Sequence, residues 1–258
     1  MGRGWLIVRW RWASASEIGT SHIKLGTRKQ DALACFLADD AASTFCAIVC
    51  DGAGSAAFGG EGASIVCRTF SVALKEHFRE TSALPADDDI WEWLDLARDR
   101  LSLAAGKREV DRRAFASTLV LLVARKGEQL VIHVGDGAIV GRDEAGPWQT
   151  LSWPENGEYA STTYFVSDDP APKARIDRTA YDMNGFAVFS DGIEDLALDL
   201  VAITPHAPFF RTMIAPLDKL DATGRDAALS KALGSFLSSP RVCEKTDDDK
   251  SLILVSAQ

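Results

Sequence analysis

With 258 residues, 47% hydrophobic and 25% charged, the chain has the composition of an ordinary globular protein with enough apolar side chains for a full core, which excludes disorder. Asp and Glu number 37 against 28 Lys and Arg, and the resulting formal net charge of -9 argues against broad binding to nucleic acid or to an anionic membrane surface. Five cysteines, an odd number without a Cys-x-x-Cys pair, read as reduced thiols and indicate neither a disulfide framework nor a thiolate zinc site.

The opening WLIVRWRW alternates apolar and basic residues, which predicts a strand with one buried face. Its apolar core, Trp5 to Val8, is too short for a secretory segment, and no later run approaches the ~18 apolar residues of a spanning helix. A cytoplasmic location is the expectation. In GTSHIKLGTRKQDALACFLADD a loop punctuated by Gly19 and Gly26 precedes a second apolar run, and the run FCAIVC then stops at Asp51-Gly52. After a small, Gly-rich stretch, Ala63, Val66, Cys67, Phe70, Leu74 and Phe78 recur at three- and four-residue intervals and predict a helix with one apolar stripe. Asp87, Asp88 and Asp89 precede a second helix striped by Ile90, Leu94, Ala97, Leu101 and Ala104, where negative charge suits the exposed amides of the first turn.

STLVLLVARKGEQLVIHVGDGAIVGRD then reads as a three-strand meander with turns at Lys126-Gly127 and Asp136-Gly137. FAVFS ends at Asp191-Gly192, IEDLALDLV follows as a helix, Leu229, Ala232, Leu233, Phe236 and Leu237 mark a late helix, and KSLILVSA closes the chain as a strand. Strands that cluster as neighbours, with helices in separate groups, predict an α+β fold with antiparallel pairing. No Pro-, Gly- or Ser-rich linker divides the chain, so residues 1–258 read as one domain.

Three apolar runs therefore finish on Asp-Gly, at Asp51, Asp136 and Asp191, and a fourth acidic group, Asp247-Asp248-Asp249, stands before the last strand. One such site is an ordinary turn. Four of them describe carboxylates held at the ends of packed strands, the arrangement by which a hard cation such as Mg²⁺ or Mn²⁺ is bound with several retained waters. The Gly-rich run after Asp51 lacks a Gly-Lys-Ser/Thr ending and so does not predict a nucleotide loop. The four histidines form no evident Ser-His or Cys-His constellation. Trp148 and Trp153 flank the segment before NGEY, where core packing is the expected use, and a backbone hydrogen bond is the expected role of His22.

In their order, GTSHIKLGTRKQDA, AIVCDGAGSA, FASTLVLL, HVGDGAIVGR, NGEYASTTYF, FAVFSDGIEDL and DDKSLILV resemble the motifs of the metal-dependent protein phosphatases of type 2C, in particular their stand-alone bacterial branch. The resemblance spans about Gly19 to Val255. It implies two stacked antiparallel sheets flanked by helices, with two Mn²⁺ or Mg²⁺ ions in a cleft at one end. Carried over position by position, Asp51 bridges the two ions and the Gly52 carbonyl completes one. Asp191 and Asp248 hold the other, and Asp31 acts on the first through a water. Asp136 and Asp195 match a weaker third metal position. The implied activity is hydrolysis of phosphoserine and phosphothreonine on proteins phosphorylated by a Ser/Thr kinase, by a water whose pKa is lowered between cations about 3.5–4 Å apart.

Three positions depart from the family pattern. Gln30 replaces a glutamate, Ala53 stands where eukaryotic members have a histidine, and Gly26 occupies the position of the phosphate-gripping arginine. Arg28 is the nearby candidate for that grip, by virtue of its bidentate donors. The same departures motivate a competing expectation, a catalytically weak module that binds a signalling partner.

Overall fold

The computed structural model of the protein describes residues 8–39, 41, 43–144, 146–155 and 163–258. β1 (Trp10–Glu17) and the short α1 (Thr20–Leu25) lead into β2 (Ala32–Leu37) and β3 (Phe45–Cys50). Two long helices follow, α2 (Gly59–Glu80) and α3 (Asp87–Gly106), then a 3-10 turn at Arg112–Phe115. The next strands are β4 (Leu119–Arg125), β5 (Glu128–Val134), β6 (Ala138–Arg142), β7 (Gln149–Ser152), β8 (Arg175–Thr179) and β9 (Gly185–Phe189). A 3-10 turn at Asp191–Ile193 runs into α4 (Glu194–Ala197) and the small pair β10 (Leu198–Asp199) and β11 (Thr204–Pro205). α5 (Ala207–Asp218), β12 (Gly224–Arg225), α6 (Ala227–Leu237), α7 (Pro240–Cys243) and β13 (Lys250–Ala257) complete the chain.

Two sheets stack, one ordered β2-β3-β4-β5-β8 and the other β12-β1-β13-β9-β6-β7. All pairings within them are antiparallel except the two-residue edge strand β12, which runs parallel to β1. The uninterrupted apolar character of FCAIVC follows from burial on both faces, since successive strand residues point opposite ways. Phe45, Ala47 and Val49 face the second sheet, against Trp10, Trp12, Phe186, Val188, Ile253 and Val255. Cys46, Ile48 and Cys50 face outward, onto the predicted stripes of α2 and α3. The outer face of the second sheet is covered by α5 and α6 through Phe210, Ile214, Leu233 and Leu237. The result is the expected sandwich of helices, two sheets and helices.

The structure corrects several boundaries. The first strand covers Trp10–Glu17, extending beyond the WLIVRWRW segment, whose residues up to Ile7 lie outside the described residues. The meander breaks after its second strand. β4 and β5 form a hairpin through Lys126-Gly127, but the chain then changes sheets and β6 pairs with β9. Gly135 makes that departure with φ +109°, a conformation that side chains disfavour. IEDLALDLV is helical only over Glu194–Ala197 before turning into β10. The cysteines are free thiols, with Cys46, Cys50 and Cys67 buried in the core. Trp148 packs on Phe210, ring centroids 4.9 Å apart, as a core residue.

Candidate metal centre

Strand register assembles the acidic residues. Ala32 pairs with Cys50, so Asp31 and Asp51, each one residue further out, leave the first sheet side by side. In the second sheet Phe189 pairs with both Ala138 and Leu252, which brings the Asp136, Asp191 and Asp248 ends of β6, β9 and β13 to the same rim. Carboxylate oxygens of Asp51, Asp136 and Asp191 lie within 4.8 Å of one another. Asp248 joins these three in lining a cleft of about 280 Å³, together with Gly52, Thr118, Thr163 and Arg113.

Asp51 is held by the Ser117-Thr118 pair. Its amide donates to Thr118 Oγ1 at 2.9 Å, the Thr118 amide donates back to its carbonyl at 2.8 Å, and Gly52 bridges to Ser117. None of Gly52, Gly137 and Gly192 has a positive φ, so the Asp-Gly pairs are not turns that need left-handed glycine. Close backbone approach is the reason in their place. A Cβ on Gly192 would sit 1.9 Å from the Asp249 carbonyl oxygen, and one on Gly52 would sit 2.2 Å from the Gly59 carbonyl carbon. These contacts draw the metal-site loops together across the sandwich.

Among the carboxylates the electrostatics are mutually repulsive. Burial, then the charges of Asp31 and Asp191, pushes Asp51 well above the usual carboxylate range. Burial, then Asp136 and Asp248, does the same to Asp191. Asp31, buried and outside the cleft lining, is raised to about 6, chiefly by burial and against hydrogen bonds that include a 2.9 Å bond from Ser190 Oγ. Oδ1 of Asp31 and Oδ1 of Asp191 are buried without a hydrogen-bonding partner among the described residues. Crowded carboxylates with orphaned buried oxygens fit a divalent cation, whose charge reverses the repulsion and whose preference is for oxygen donors.

Two expected residues are placed differently. Asp195 is exposed and borders a separate groove with His206 and Phe209. Neighbours on a helix point about 100° apart, and on α4 Glu194 is the half-buried residue, held at about 7 by burial, then Asp136 and Asp195. Arg28 is exposed and does not line the cleft. It follows α1, which Gly26 caps at φ +66°, and its carbonyl accepts from His22 Nδ1 at 3.1 Å. Of NGEYASTTYF, only Thr163, Tyr164 and Phe165 fall within the described residues, and the Thr163 hydroxyl donates to Asp136.

Residues that the sequence reading passed over complete the surroundings. Asp249, one step from Asp248, is 1% exposed and accepts from the amides of Gly19 (2.6 Å), Gln30 and Asp31 (3.3 Å), with His22 Nδ1 at 3.5 Å. It anchors the Asp31 segment and faces away from the cleft lining. The run of three aspartates hid this division of labour, because the three precede β13, where no strand period tells which way each side chain points. Arg113 gave no signal, since its proximity to Asp51 depends on pairing across more than sixty residues of chain.

A sequence model of the family described as Protein phosphatase 2C matches residues 18–238. Serine/threonine-protein phosphatase 3 of Escherichia coli (strain K12) is 35% identical over 249 residues, covering 95% of this chain and 97% of that protein. Among solved structures, PppA, a regulatory component of T6SS in Pseudomonas aeruginosa, superposes with TM-score 0.64 at 20% identity, covering 97% of this chain and 100% of that one. The catalytic domain of serine threonine protein phosphatase PstP, in complex with two manganese ions, gives TM-score 0.61 at 14% identity over 97% of this chain and 99% of that one.

Proposed function

The chain belongs to the protein phosphatase 2C family, and on that premise we propose that it hydrolyses phosphoserine and phosphothreonine on protein substrates using two divalent cations, Mn²⁺ or Mg²⁺. The observation that carries the reading is the convergence of Asp51, Asp136, Asp191 and Asp248 on one cleft, backed by the orphaned oxygens of Asp31 and Asp191. Asp51 would be shared between the ions, with the Gly52 carbonyl on one of them and Asp31 behind it. Asp191 and Asp248 would hold the other, and Asp136, with Glu194 close by, would offer a weaker third position. When bound, the cations supply Lewis acidity toward phosphate oxygens and a lowered pKa for a shared water.

The protein's own part is positioning. Thr118 fixes the backbone of Asp51, Ser190 orients Asp31, and Thr163 holds Asp136. The described lining of the cleft contains neither histidine nor cysteine, so the side chains there suit attack by water and offer no activated protein nucleophile. Among the described residues no helix is long and apolar enough to cross a membrane, and the formal net charge of -9 disfavours polyanionic partners.

The test is phosphate release from a phosphothreonine peptide with Mn²⁺ and with excess chelator. Release that requires Mn²⁺ and falls at least 100-fold in Asp51→Asn supports the reading. A folded, Mn²⁺-saturated protein that releases none contradicts it and favours the competing docking module, for which Asp51→Asn would leave partner affinity intact.

A further inference from the structure

The cleft that gathers four carboxylates contains one cationic side chain among its described lining residues, Arg113. Neighbouring arginines are all engaged. Arg112 pairs with Asp169 and donates to the Ser167 carbonyl, Arg98 also reaches Asp169, and Arg108 binds Glu61 at 2.7 Å. The Arg113 amide is used, donating to Asp111 Oδ1 at 2.7 Å, but its guanidinium has no hydrogen bond or ion pair among the described residues. The fold nevertheless holds its backbone firmly against the metal-site loop. The Ala53 amide donates to the Ala116 carbonyl at 3.0 Å and the Phe58 amide to the Ala114 carbonyl at 2.8 Å, so the 3-10 turn carrying Arg113 is tied on both sides to the segment following Asp51. Gly62 permits this contact, since a Cβ there would lie 2.1 Å from the Phe115 carbonyl oxygen.

We propose that Arg113 is the residue that grips the substrate's phosphoryl group in this protein, taking the place that Gly26 leaves open and that Arg28 does not reach. The inference rests on the phosphatase reading above. A phosphomonoester dianion placed among cations still presents oxygens toward the cleft wall, and a guanidinium offers two parallel donors that match them. An unpaired arginine lining the same cleft as the carboxylates also has a second use. It adds positive charge to the lining of an otherwise acidic cleft that an anionic substrate must enter.

The experiment uses the full chain loaded with Mn²⁺ and reads two quantities, steady-state hydrolysis of a phosphothreonine peptide and calorimetric binding of inorganic phosphate. Arg113→Ala is expected to raise KM and weaken phosphate binding by about 10- to 100-fold, the range for losing hydrogen bonds to a charged group, while Mn²⁺ affinity stays within about twofold. Arg113→Lys should recover part of the loss, because a point charge replaces only half of a bidentate contact. A folded Arg113→Ala protein with KM and phosphate affinity unchanged overturns the inference. So does a variant whose Mn²⁺ affinity falls in parallel, and so does Arg28→Ala reproducing the effect. If the wild-type protein hydrolyses nothing, the phosphatase reading fails by itself, and phosphate binding still decides whether Arg113 is an anion contact.

Discussion

Replacing Asp31 by asparagine isolates the cost of burying an ionised carboxylate beside the candidate metal site. Asp31 is 7% exposed, and burial lifts its carboxyl from 3.8 to about 6, with Asp249 adding to the rise. At about 1.4 kcal/mol per unit, the metal-free fold carries a penalty of roughly 3 kcal/mol for ionising this one group. Because the folded pKa lies above the unfolded one, the penalty is absent below about pH 4, grows between about 4 and 6, and is complete above that window. An asparagine has the same shape, can still accept from Ser190 Oγ, and can donate to the Asp51 carboxylate. For a protein of this size about 3 kcal/mol corresponds to a Tm increase of roughly 6–12 °C. Thermal unfolding in chelator should therefore show Asp31→Asn more stable than wild type by that amount at pH 8 and equal to it at pH 4. Saturating Mn²⁺ should narrow or reverse the difference, since wild type gains more from the cation. A lower metal-free Tm at pH 8, or a gain of the same size at pH 4, would show that ionised Asp31 carries no such penalty in the fold.

Thr118→Val removes the acceptor for the buried Asp51 amide and should cost about 1–3 kcal/mol in urea unfolding, with weaker Mn²⁺ binding by calorimetry. Gly192→Ala drives a methyl group into the Asp249 carbonyl, so a loss of at least about 2 kcal/mol, or failure to fold, is expected in the same assay. Mn²⁺ affinity should be weaker at pH 5 than at pH 8, because Asp31, Asp51 and Asp191, all raised above the usual carboxylate range, must be ionised to serve the cations; titrations at the two pH values check this. His133, held neutral by burial, then the Arg175 guanidinium, has its pKa depressed to about 3. Its contribution to stability is thus present above about 6.5 and is lost as pH falls toward 3, and an NMR titration should show its ring unprotonated at pH 5.

Much of the sandwich was legible because burial on one or two faces writes itself into short-range pattern. The stripes from Ala63 to Phe78 and from Ile90 to Leu101 are the faces that α2 and α3 bury. α5 was missed because Pro208 and Pro216 mask its periodicity, and β8 because its RIDRT sequence is mostly polar at the sheet edge. The sheet change after β5 turns on a single backbone angle at Gly135, which pattern does not report. Of the site, the strand-end aspartates stood out, yet the reason for their glycines did not. Asp-Gly is the commonest of turn signals, whereas here Gly52 and Gly192 admit the backbone of a distant segment. Which of Asp248 and Asp249 faces the cleft, and which of Glu194 and Asp195 approaches Asp136, depended on local direction at a strand end and on a four-residue helix. The place of Arg113 was set by hydrogen bonds between the loop after Asp51 and the turn before β4, contacts between segments that sequence spacing does not relate.

The most direct test of the metal site is anomalous diffraction at the manganese edge from crystals soaked in Mn²⁺. Two strong peaks are expected in the cleft about 3.5–4 Å apart, one carboxylate of Asp51 between them and Asp191 with Asp248 on one side. No peak there, or ions bound only at surface carboxylates remote from Asp51, would contradict the two-cation site.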